Sequence, residues 1–218
     1  MKYNILLLIV LLMFSGGCSS NNDNRIDNTS DKRESADLSC HLIVQPYGDF
    51  AQGDAYQIAR SLIEVIGKYT DIIIDSLEVL PNKPLTTELM NNAKTRYRAS
   101  KILDSQYALQ HQRGDVIIGL TNCDISTSLH GYEDWGILGL AYLGESNCVI
   151  STFRVREKKY FWKVVFHEYL HAYKNLPHCS DPSCFMVDCN GKPKLSLETR
   201  LCNDCAKLLQ TLASTTTH

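Results

Sequence analysis

Neither sign of charge is in excess. The 22 Lys and Arg stand against 24 Asp and Glu, with no basic stripe along the chain, so the electrostatic footing for nucleic-acid binding is missing. The apolar run at residues 5–14 is too short to cross a bilayer as a helix, since that takes about 20 residues. No segment repeats with a period of 20 to 50 residues, which excludes solenoids and propellers. What the chain does hold, among 218 residues, is nine Cys and seven His. Packing rarely asks for so many, and metal or disulfide chemistry has to be considered first.

The N-terminus reads as a targeting segment. Lys2, the run at 5–14 and the small residues Ser15, Gly16 and Gly17 follow the pattern of a secretory signal peptide. A Cys directly after them resembles a bacterial lipobox, in which Cys18 is lipidated and becomes the mature N-terminus; Ser15 stands where Leu is usual. An ordinary signal peptide cut nearby is the alternative. Residues 19–37 are Asn, Asp, Ser and charge, with Ile26 the only large apolar side chain, too little to bury for a folded unit. The expected organisation is a signal peptide over 1–17, a lipidated disordered tether over 18–37 and one domain over 38–218. That places a monomer in the bacterial cell envelope, membrane-anchored through its lipid, periplasmic or surface-exposed.

Within the domain, strands and helices are mixed. Strands are expected at 40–47, 72–80, 115–121, 137–143 and 148–154, the last two joined by a Gly-containing connection of hairpin length. Ile58, Leu62, Val65 and Tyr69 share one helical face, as do Tyr160, Val164, His167 and His171. One or two helices are expected over 87–112, which lacks internal Gly or Pro, and a last one over 196–212.

His167, Glu168 and His171 form a His-Glu-x-x-His pattern. On a helix, residues four apart lie on one face, so both imidazoles can reach one metal ion, with Glu168 beside it to take a proton from water. Zinc lowers the pKa of such water to about 7. A helix whose two His merely pack or face solvent would carry the same pattern. Downstream, Asn175 can adopt the left-handed backbone that ends a helix and Pro177 cannot continue one. The chain should therefore turn and bring His178 back as a third ligand, leaving a fourth zinc position open. Cys179 and Cys184 are separated by four residues and Cys202 and Cys205 by two, the spacing of paired thiolates in a closed tetrahedral zinc site. In an oxidising envelope the same four could form disulfides.

These residues resemble the archaemetzincins, zinc peptidases of the metzincin clan. Their signature is His-Glu-x-x-His-x-x-Gly-x-x-His-Cys, four residues, Cys-x-Met, a spacer, and Cys-x-x-Cys. Here it is read at His167, Glu168, His171, His178, Cys179, Cys184, Met186, Cys202 and Cys205. Upstream, Pro46 to Phe50, Ile118 to Thr121, Gly139 to Ala141 and Val149 to Arg154 are similar to further family segments, so nearly the whole domain is covered. Six residues separate His171 from His178 where the family has five, and Lys174 or Asn175 fills the Gly position. The resemblance implies an α/β (α+β) fold: a twisted mixed sheet, an active-site helix under a cleft and a small Cys-rich C-terminal subdomain. It also implies two Zn2+ per chain. The catalytic ion would lie on His167, His171 and His178 with Met186 as the turn beneath it, and the structural one on Cys179, Cys184, Cys202 and Cys205. Glu168 would be the catalytic base acting on a peptide or protein substrate.

Other residues carry less. His41, His111 and His130 have no ligand-like spacing to the motif, Cys40, Cys123, Cys148 and Cys189 could be buried thiols or disulfides, and Trp135 and Trp162 are core or cleft-wall residues. The strand at 137–143 is either an edge to which extended substrate adds or a strand covered by the preceding loop. Two competing readings stay open: a non-catalytic, zinc-stabilised envelope lipoprotein that binds a partner, and a disulfide-framed domain whose His motif is accidental.

Overall fold

The computed structural model describes residues 39–109, 114–189 and 193–214. The expected signal peptide, tether and Cys18 lie outside the described residues, as does His111. Strand β1 (Ser39–Pro46) leads through helix α1 (Gln52–Tyr69) to β2 (Ile73–Val79). There follow β3 (Tyr97–Arg98), α2 (Ala99–Gln106), β4 (Asp115–Thr121), β5 (Ile125–Leu129), β6 (Tyr132–Ile137), β7 (Gly139–Ala141) and β8 (Asn147–Ser151). Helices α3 (Phe161–Lys174) and α4 (Asn203–Ser214) complete the described chain.

The main sheet has the order β2-β1-β4-β8-β7. Its first four strands are parallel, and β7 joins β8 antiparallel as the edge. Every residue of β4 is buried, as a parallel strand covered on both faces requires. Leu42, Val44, Ile118, Leu120 and Ile150 pack with Ala59, Leu62 and Ile66 of α1 and with Val165, Phe166, Tyr169 and Leu170 of α3. On the opposite face Val149 packs with Ile102 and Leu103 of α2. The result is a helix–sheet–helix sandwich with α3 in its larger core. The expected mixed α/β architecture is the observed one.

Several local expectations shift. The buried stripe of α1 is Ala55, Ala59, Leu62 and Ile66, with Ile58, Val65 and Tyr69 only half-buried at its border; the two alanines are as fully covered as the two large residues. The region 87–109 holds one α-helix, flanked by two 3-10 turns and the short β3. The strand expected at 137–143 is two elements, β6 and β7, and β6 belongs to a second sheet of order β3-β5-β6. That sheet was not foreseen because its strands are polar and short. Charge holds it: Arg154 grips Asp124 at 2.6 and 2.8 Å, and Arg96 bridges Asp124 (2.9 Å) and Asp134 (2.7 Å). Gly136 leaves room for the Arg154 guanidinium, which a Cβ there would meet at 2.3 Å. The last helix begins at Asn203, seven residues later than expected, because the segment before it is held in turns by Lys163 and by the Cys cluster.

Helix α3 ends as its sequence suggests. Asn175 has φ 52 and ψ 28, the left-handed conformation, and the N–H groups of Asn175 and Leu176 both reach the Leu170 carbonyl. The next two carbonyls, of His171 and Ala172, accept from Gly144 and Ser146 in the β7–β8 turn at 3.0 Å. Gly at position 175 should be tolerated, since it reaches this backbone freely. Asn175→Val should cost about 1–2 kcal/mol, the penalty for a β-branched residue there. Urea unfolding of the two variants checks this, and equal midpoints would show that the turn is not what terminates α3.

Candidate metal centre

Helix α3 carries His167 and His171 one turn apart, and the left-handed turn returns the chain so that His178 meets them. The Nε2 of His167 lies 3.0 Å from that of His171 and 3.1 Å from that of His178. Their orientation is set from behind: the Nδ1–H of His167 donates to the Phe185 carbonyl at 2.7 Å, and that of His171 to the Leu176 carbonyl at 2.6 Å. Each carbonyl can only accept, so Nδ1 holds the proton and each Nε2 presents a lone pair inward. Burial, then the neighbouring His171, pulls the His167 pKa down to about 3; burial, then His178, pulls His171 down to about 4. Neutral imidazoles with lone pairs this close repel one another unless a cation lies among them. Zinc with Zn–N bonds of 2.0–2.1 Å sets its tetrahedral ligands about 3.3 Å apart, so the trio fits that ion.

Glu168 lies beside this cluster, 8% exposed, and burial raises its pKa to about 8. Gly139 of the edge strand makes the place for it. A Cβ at 139 would stand 2.7 Å from the Glu168 Cγ, so only a strand without a side chain there lets the carboxyl group stay. Glu168, the three His and β7 line one cleft of about 1270 Å3, walled on its other sides by residues of 187–198 and by Trp135.

The thiols of Cys179, Cys184, Cys202 and Cys205 form a second group, all four sulfurs within 4.8 Å of one another. The eight described Cys are free thiols, so the four are neighbours without being bonded. The Met186 and Cys202 amides point at the Cys184 Sγ, at 3.4 and 3.3 Å. Burial pushes Cys179 up to about 11 and Cys205 further, whereas Cys202 is drawn down despite its burial, by hydrogen bonds led by Cys205. Four sulfurs at this separation fit a tetrahedral zinc, which would hold them as thiolates.

No family model matches the chain. Archaemetzincins from two strains of Halobacterium salinarum, R1 and NRC-1, are each 26% identical to it over 183 residues, 75% of this chain and 96% of the relative. The crystal structure of archaemetzincin from Methanopyrus kandleri superposes with a TM-score of 0.65 at 19% identity, over 80% of this chain and 96% of that one. That from Archaeoglobus fulgidus, complexed with malonate, gives 0.59 at 23% identity, over 77% and 99%. The fold is archaemetzincin-like.

Within this archaemetzincin-like fold six residues separate His171 from His178, the chain turns at the left-handed Asn175, and the third imidazole reaches the other two. The two ligand groups share their backbone. Cys179 follows His178, and Phe185, whose carbonyl orients His167, follows Cys184. The Cys179 amide donates to the Met186 carbonyl at 2.8 Å and its carbonyl accepts from Asp188 at 3.0 Å. Met186 is fully buried in the core. Other candidates stand apart: His41 bonds Asp115 at 3.1 Å, His130 packs on Trp135 at a hairpin tip, and Cys40 and Cys148 are buried singly. Trp162 packs edge-on against Phe185. Sequence reasoning passed over the packing role of Gly139, which a glycine inside a strand could have signalled, and the cleft residues Lys163 and Glu198, for which no motif exists.

Cys184→Ser should remove a thiolate and loosen Phe185, so metal analysis should show one fewer bound ion and a weaker affinity, by about 10- to 100-fold, at the His group as well. Unchanged affinity there would show that the groups are independent. In metal-free protein the Glu168 carboxyl has a folded pKa, about 8, above its unfolded value of 4.5. The stability this gives is present below 4.5 and is lost as pH rises through 8. Glu168→Gln should therefore melt higher than the parent at pH 8.5 and lose that advantage toward pH 4; a gap that is flat with pH would refute the assignment.

Proposed function

We propose that this chain is a zinc-dependent peptidase, with His167, His171 and His178 holding the catalytic ion and Glu168 as general base. The observation that carries this reading is the convergence of three Nε2 atoms, two of them with lone pairs turned inward, beside a buried carboxyl group on a cleft edged by a strand. The likeness to archaemetzincins supports the coarse class, a zinc metallopeptidase family. Zinc bound there supplies Lewis acidity, activating water and polarising a scissile carbonyl.

The chain's own residues do the rest. β7 is the antiparallel edge of the sheet and borders the cleft, so an extended peptide can lie along it through backbone hydrogen bonds. Glu168 takes the proton of the attacking water and returns it to the departing amine, and its burial suits this, since a raised pKa makes the carboxylate a stronger base and a pKa near the working pH serves both transfers. Cys179, Cys184, Cys202 and Cys205 would hold a second, structural zinc. The envelope location and lipid anchor rest on the N-terminal sequence and belong to this proposal.

Glu168→Ala should lower cleavage of a peptide library by at least about 100-fold while metal analysis still finds the ion. A chelator should abolish cleavage and added zinc restore it. Cleavage that survives Glu168→Ala would exclude Glu168 as the base. Full zinc occupancy with no cleavage of any peptide would favour the non-catalytic binding lipoprotein instead.

A further inference from the structure

One turn before His167 on α3, Lys163 is buried, and its ammonium is spent on backbone. It donates to the carbonyls of Leu195, at 2.6 Å, and Glu198, and lies 4.5 Å from the centre of the Tyr160 ring. These bonds pin the segment 195–198 along the first turn of α3. Glu198 is thereby held on the lining of the cleft at 5% exposure. Its carboxylate makes no hydrogen bond and no close ion pair among the described residues; Lys163 acts on it only at longer range. The carboxylate oxygens are also not among the sealed unpartnered atoms, so each keeps some exposure.

A carboxylate more than nine-tenths buried, with no donor of its own and open only to a cleft, lacks its partner. Of the other charged groups lining the cleft, Arg154 is held by Asp124, Glu157 by Lys159, Asp188 has a partner and Glu168 is buried against Gly139, while Arg156 and Lys194 are exposed and make no close ion pair with Glu198. Lys163 and His167 are four residues apart, about 6 Å along the helix. That is under two residues of extended peptide.

We propose that Glu198 determines specificity, its carboxylate receiving a cationic nitrogen of the substrate close to the scissile bond, either a Lys or Arg side chain or an N-terminal ammonium. This rests on the peptidase reading for what lies in the cleft, and the test separates the two.

Zinc-loaded Glu168→Gln protein, which should bind without turnover, would be titrated calorimetrically with three peptide sets of otherwise equal composition. One is blocked at both ends with a fixed Lys, one is blocked with norleucine in its place, and one carries norleucine with a free N-terminus. Either the Lys set or the free-amine set should bind about tenfold or more tightly than blocked norleucine, as befits a hydrogen bond to a charged group; which of them does so identifies the source of the cation. Adding Glu198→Gln should bring the ratio to about one, and Glu198→Asp should keep part of it, which covers the case of a misfolded Gln variant. A ratio near one with Glu198 present, or one that survives Glu198→Gln, overturns the proposal. The same peptides given to the unsubstituted protein test the other reading. Cleavage without preference sinks Glu198 alone, whereas Glu198-dependent binding without cleavage sinks the peptidase and leaves Glu198 standing.

Discussion

The close approach of three imidazole Nε2 atoms, two of them fixed with the lone pair inward, is the constraint around which the described chain is arranged. Nothing in the rings themselves would hold them this way. Backbone carbonyls of Phe185 and Leu176 do so from behind, by taking the Nδ1 protons and leaving Nε2 bare. Leu176 is available only because α3 stops at a left-handed Asn175, and Phe185 only because the Cys-bearing loop folds beneath the helix. The strain of holding like dipoles together is offset by the core, in which Phe166, Tyr169 and Leu170 of the same helix are fully buried.

The two ligand groups are therefore one mechanical unit. A loop this short of regular structure has little reason to keep a shape, and an ion held by the four sulfurs would supply that reason. The small sheet β3-β5-β6 plays a comparable part on the other side of the cleft, where the Arg96, Asp124, Asp134 and Arg154 network fixes it. Between them lies β7, short and with glycine where Glu168 needs space. Rigid walls on both flanks and a backbone-only contact at the base residue are what a preorganised site asks for.

Much of this was legible from sequence because it follows short-range rules. The buried strand 115–121, the helix bearing His167 and His171 and the turn at Asn175 each rest on periodicity or on one residue's backbone preference. The likeness to archaemetzincins added the mixed sheet and the pairing of the two ligand groups. What escaped was set by tertiary contact. β5 and β6 are polar strands that half-buried ion pairs tie down, and 196–202 stays out of helix although its pattern allows one, because Lys163 captures the carbonyls of Leu195 and Glu198. Glu198 belongs to the same class: no spacing announces a residue whose meaning comes from a lysine 35 positions away.

The order of these parts along the chain carries a consequence for biosynthesis. Every strand of both sheets ends by Ser151, whereas the seven candidate ligands lie between His167 and Cys205. All the strand residues are thus made before any of the seven, and the sheet gains the α3 side of its core only as His167 and His171 arrive with that helix.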